Sequence, residues 1–130
     1  MYIYIDTTER DSFEVALIDE KKIIKKKKVQ SERKHSEKLL ASIRHILSLS
    51  NKALKDVKGV IAVKGPGSFT SLRIGITTAN ALAFGLNIPV LGIDKIDDLD
   101  NIHFQLNKFI SKKRGSSIVI PEYGKQPDIQ

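Results

Sequence analysis

The chain has 130 residues, 41% of them hydrophobic and 28% charged, enough for one domain with its own core. It has no cysteine, so disulfides and thiolate metal sites are excluded. The net charge is +7, no apolar run is long enough for a membrane helix, and the N-terminus lacks signal-peptide features, so a cytoplasmic protein is expected.

Tyr2 to Asp6 is rich in β-favouring residues and reads as a first strand, followed by a polar turn over residues 7–11. Residues 12–18 and 22–30 complete an antiparallel meander of three strands. Around the third strand lie Lys21, Lys22, Lys25, Lys26, Lys27 and Lys28, which carry most of the net charge. Two readings stand for this run. It is a solvated edge strand, where lysine discourages edge-to-edge pairing, or it is a patch for nucleic-acid phosphates. No aromatic residues are interleaved for base stacking, which favours the first. Residues 36–49 read as an amphipathic helix, with Leu39, Leu40, Ile43, Ile46 and Leu47 at three- and four-residue spacing and Ser36 as N-cap. A turn at 54–57 leads into a fourth strand at 59–63.

Residues 65–75, GPGSFTSLRIG, join that strand to a second helix over 70–85. The glycines permit positive φ and close approach. Unsatisfied N–H groups at a helix start can accept an anion or a partner's backbone. No Gly-Lys-Ser/Thr follows, so this is not a P-loop. Ser68 is expected to cap the helix. Gly75, Ala79 and Ala83 form a stripe of small residues, and charges are few, so the helix is expected to be buried nearly all round. Arg73 sits in the first turn, a poor place for a cation. It is expected to pair with Asp94 or Asp6, or with an acidic group on a partner.

A fifth strand at 89–93 and an amphipathic helix at 94–106 complete a lobe spanning 1–106, with a linker at 107–117 and a short strand and tail at 118–130. The order predicts an α/β fold, a mixed five-stranded sheet with flanking helices. His35, His45 and His103 lack metal-ligand spacing and read as surface or capping residues. Ser68 lacks the Gly-x-Ser-x-Gly elbow of a hydrolase nucleophile. No catalytic residue and no metal site is expected.

Four segments carry a family resemblance. GPGSFTSLRIG resembles the GPGSFTGLRIG stretch of the TsaB (YeaZ) family, with Ser71 standing where that pattern has glycine. The segment from Ile3 to Thr8 resembles the family's opening strand and Asp-Thr-Ser/Thr turn. His35 to Leu40 resembles its HSExLL helix start, and Pro121 to Pro127 its C-terminal tail. The resemblance implies a single lobe of the actin/Hsp70/sugar-kinase superfold. In that fold the first hairpin faces nucleotide phosphates and Mg²⁺, a place matched here by Asp6, Thr7 and Thr8, with Gly65, Gly67 and Ser68 of the glycine-rich turn also expected at the phosphate. Such proteins hold nucleotide between two lobes. Only about two dozen residues separate the first lobe from the tail, too few for a second core, so the chain reads as a shortened form.

The resemblance therefore implies a non-catalytic scaffold for threonylcarbamoyladenosine modification of tRNA. Its partners would be a TsaD-type catalytic subunit and a TsaE-type ATPase, with a homodimer when isolated. No cofactor is expected on this chain alone; ATP or ADP with Mg²⁺ would be shared within the complex. The partner surface is expected on the two helices, at Leu39, Leu40, Ile43, Leu47, Leu72, Gly75, Ile76 and Ala79. Two alternatives stand beside this reading: a nucleotide-binding module of the same superfold, and an RNA-binding accessory contacting tRNA through the lysines at 21–28.

Overall fold

The computed structural model describes residues 1–32, 34–103, 106 and 107. Tyr2–Asp6 (β1), Ser12–Ile18 (β2) and Ile23–Gln30 (β3) form the meander. His35–Leu49 (α1) and a 3-10 turn at Leu54–Asp56 lead to Gly59–Gly65 (β4). Phe69–Leu86 (α2), Val90–Asp94 (β5) and a 3-10 turn at Leu99–Asn101 follow. The strand order is β3-β2-β1-β4-β5. β1 pairs antiparallel with β2, and β2 with β3, while β1–β4 and β4–β5 are parallel. This is the mixed five-stranded α/β lobe expected from the element order.

Alternation along the strands divides the core between the two sheet faces. Ile3, Ile5, Val15, Leu17, Val60 and Ala62 share one cluster with Leu39, Ile43, Ile46 and Leu47 of α1 and Ala79 and Ala83 of α2. Tyr2, Tyr4, Ala16, Ile18, Ile61, Val63 and Ile93 point the other way and meet Leu99, Ile102 and Leu106. Each fully buried Leu or Ile in these clusters contributes about 2 kcal/mol relative to exposure. β1 and β4 lie in the middle of the sheet, and their apolar residues are buried on both faces. β3 is an edge strand, with Lys25, Lys26 and Lys28 exposed, in agreement with the solvated-edge reading.

Several boundaries differ from the sequence expectation, each for a local reason. α1 starts one residue earlier, its N-cap position is Lys34, and no side chain caps it, so Ser36 is not the cap. The start is fixed instead by His35, which is drawn into the core. β4 runs on to Gly65 because Gly65 pairs with Asp94. That pairing also makes Asp94 the last residue of β5 rather than the first of a helix, and helical structure begins only at Leu99. α2 ends at Asn87 in the left-handed conformation, φ 57°, which asparagine tolerates, with Pro89 just beyond. The expected linker (save Asn107), the strand at 118–120 and the tail lie outside the described residues.

Candidate functional site at the glycine-rich turn

The parallel strands β1, β4 and β5 end on the same side of the sheet, so the loops that follow them converge there. β1 delivers Asp6, Thr7 and Thr8, all buried. β4 delivers Gly65, and β5 is followed by Lys95. The sequence-predicted residues Asp6, Thr7, Thr8, Gly65, Gly67 and Ser68 are thus brought together.

Asp6 is fully engaged within the chain. Its Oδ1 accepts from the Thr8 amide at 2.9 Å and the Thr8 hydroxyl at 2.7 Å. Its Oδ2 accepts from the Lys95 ammonium at 3.1 Å and, at 3.4 Å, from the Tyr4 phenol. Lys95 also donates to the Thr8 hydroxyl at 2.7 Å. Burial, reinforced by the charges of Asp6 and Glu14, pushes the Tyr4 phenol far up, so it stays a donor. Lys95 was not anticipated from sequence; its only signal was its place just past β5, beside β4 in the sheet.

The glycines close the turn against β1. Gly65 has φ 133°, a conformation that side chains resist. A Cβ on Gly67 would lie 2.7 Å from the Thr8 carbonyl oxygen. A Cβ on Gly75 would overlap the Thr7 hydroxyl and lie 2.7 Å from its methyl. The backbone reinforces the contact, since the Ser68 amide donates to the Thr8 carbonyl at 2.9 Å. Ser68 does occupy the N-cap position of α2, but its side chain makes no capping bond; its carbonyl accepts from the Leu72 amide instead.

These residues do not fit a Mg²⁺-nucleotide. Both Asp6 oxygens are taken, one of them by an ammonium, so the carboxylate has no free face for a hydrated cation. The Thr7 hydroxyl, buried and without a hydrogen-bond partner, is turned into the Gly75 contact rather than toward a ligand.

Other expectations are redirected by packing. Arg73 lies over the Phe69 ring, 5.6 Å from its centroid, while Asp6 pairs with Lys95 and Asp94 with Lys64 at 3.6 Å. His35 is not a surface residue. It is 1% exposed, packs edge-on against Phe13, accepts from the Ser31 hydroxyl and donates from Nε2 to the Glu9 carbonyl at 2.9 Å. It therefore pins the β1–β2 turn to the start of α1. His103 is half-buried and donates to the Asp19 carbonyl at 3.2 Å, whereas His45 is exposed.

The expected partner surface is the largest correction. Leu39, Ile43, Leu47, Leu72, Gly75, Ile76 and Ala79 are all buried within the chain's own fold. Of the eight candidates only Leu40, 46% exposed, faces solvent. The small-residue stripe exists so that α2 can approach the β1–β2 turn and α1. What α2 turns outward is Arg73, Thr77, Ala81 and Phe84, with Phe84 89% exposed. α2 is so apolar in sequence that no polar face marked its outside, and nothing there singled out Phe84 as exposed.

A family model described as "TsaD: tRNA N6-adenosine threonylcarbamoyltransferase" matches residues 22–107. The chain is 29% identical over 99 residues to the tRNA threonylcarbamoyladenosine biosynthesis protein TsaB of Bacillus subtilis, an alignment covering 76% of this chain and 43% of that protein. It is 38% identical over 64 residues to TsaB of Escherichia coli, covering 49% and 28%. Among solved structures, YeaZ from Pseudomonas aeruginosa superimposes with a TM-score of 0.69 at 29% identity, covering 82% of this chain and 49% of that one. The chain spans less than half the length of each of these proteins.

Proposed function

The chain belongs to the family that the TsaD model describes, as a TsaB (YeaZ) member, and from that premise we propose that it is a non-catalytic partner subunit in tRNA threonylcarbamoyladenosine biosynthesis. It pairs with a TsaD-type subunit, which carries the transfer. The observation that supports this reading most is the Lys95–Asp6 ion pair. The carboxylate that would face Mg²⁺ in a nucleotide-using relative is neutralised by the chain's own lysine. The fold is kept while its phosphate hairpin serves as a structural lock.

The pairing surface is the outward side of α2, centred on Phe84 and flanked by Ala81 and Thr77. An aromatic ring 89% exposed on a helix is a candidate anchor for a partner pocket. Without that partner, a second copy of the chain covers the same face in a symmetric dimer. Any ATP or ADP with Mg²⁺ in the assembly, including one brought by a TsaE-type ATPase, is held chiefly by other subunits.

Two measurements test this. Co-purification of the tagged chain from its host should recover a TsaD-type protein at near-equal stoichiometry; recovery of the chain alone would sink the pairing. Titration with ATP and Mg²⁺ in a calorimeter should give no saturable heat, and a saturable isotherm would restore the nucleotide-binding alternative. A second reading has one observation in its favour: Lys21, Lys22, Lys25, Lys26 and Lys28 are exposed on and beside the β3 edge. If they contact tRNA, binding weakens steeply with salt, and changing Lys25, Lys26 and Lys28 to Gln flattens that dependence by about 3 in log–log slope.

A further inference from the structure

Beside the glycine-rich turn, a cavity of about 430 Å³ opens at the start of α2. Its polar lining is Arg10, Ser68, Thr70 and Ser71, and its apolar wall is Phe69 and Ile74 beside the edge of His35. Both ring nitrogens of His35 are already bonded, to Ser31 and to the Glu9 carbonyl, so that ring contributes a wall and not a ligand.

The helix start here is built without its usual satisfaction. The first turn of α2 has no acidic residue, and the N-cap hydroxyl makes no capping bond. First-turn amides have no intrahelical acceptor, and the helix dipole is positive at this end. A second, separate observation is Ser71. It is 5% exposed and lines the cavity, and its hydroxyl has no hydrogen-bond partner among the described residues. Arg10 adds a permanent charge at the mouth, and its guanidinium has no ion pair among the described residues.

We propose that this cavity is an oxyanion site for the phosphoryl or carboxylate group of a small molecule. The Ser71 hydroxyl and the first-turn amides of α2 bind the oxygens, Arg10 supplies the charge, and Phe69 with Ile74 covers an apolar portion of the ligand. Asp6, Thr7, Thr8 and Lys95 do not line this cavity, so the site is distinct from the Asp6 hairpin. It stands whether or not the chain pairs with a TsaD-type subunit.

The test is a titration of the isotopically labelled full chain with inorganic phosphate and, separately, with acetate, followed by amide chemical shifts. Saturable shifts are expected at Thr70 and Ser71. Loss of one hydrogen bond to a charged group in Ser71→Gly should weaken binding about tenfold. Arg10→Gln should weaken it at least as much, with an unchanged melting temperature, because Arg10 is exposed. Saturation by phosphate alone assigns a phosphoryl ligand, and by acetate alone a carboxylate. Absence of saturable shifts with either anion, or equal affinity in all three proteins, overturns the proposal.

Discussion

α1 and α2 lie on the same face of the sheet and share one core, but they divide their surfaces differently. α1 buries Leu39, Ile43, Ile46 and Leu47 and exposes Glu37, Lys38, Ala41, Arg44 and His45. Its chemistry announces which side faces water. α2 buries Leu72, Gly75, Ile76, Ala79 and Ala83, and its outside holds one charge, Arg73, followed by Thr77, Ala81 and Phe84. The domain's own packing explains the inner side of α2 and leaves the outer apolar side without a function in this fold. A helix that is apolar all round is thus half core and half surface, and only the surface half is open to a partner.

The largest effect should come from the inner side of α2. Ala79 is 0% exposed, so Ala79→Glu places an unpaired charge in the shared core and should cost about 4 kcal/mol or more. A thermal melt will show it as a lost or strongly lowered transition. If the variant instead melts like the parent and only fails to pair, the division between the two sides of α2 is wrong. On the outer side, Phe84→Asp should leave the melt unchanged and weaken pairing with a TsaD-type subunit at least about 100-fold, near 3 kcal/mol. Calorimetry of the two purified subunits reads this directly, and an unchanged dissociation constant would remove the outer side as the interface.

Gly75→Ala sharpens the contrast at the N-terminal end of α2. The added methyl overlaps the Thr7 side chain, so α2 must shift from the β1–β2 turn at about 1–3 kcal/mol, despite alanine's better helix propensity. Urea unfolding measures it, and a stabilised variant would mean that the turn yields freely. The smallest effect belongs to α1. Leu40→Ser removes an exposed leucine from a helix whose core side is intact, and stability should change by no more than about 0.5 kcal/mol. A larger loss by the same unfolding assay would show that α1 also uses its outer face.

The site was legible in part. Asp6, Thr7, Thr8, Gly65, Gly67 and Ser68 could be placed together because strand ends and glycine turns are local signals, and the family-like segments joined them. Their bonding was not legible. Lys95 is 89 residues from Asp6, and nothing local to either residue indicates that they meet. His35 illustrates the same limit: a polar residue beside a helix start reads as surface, yet Ser31 and the Glu9 carbonyl satisfy it inside the core.

The sequence by itself determined the element order, the antiparallel meander, the lysine-rich edge and the tight strand–turn–helix at residues 65–75. These rest on periodicity, turn chemistry and charge, which act over a few residues. Tertiary structure decided which side of α2 is core, what neutralises Asp6 and that Ser71 is buried beside a cavity. Those depend on which distant side chains fill the space around a residue, and burial and pairing of that kind exist only once the sheet has brought the strand ends together.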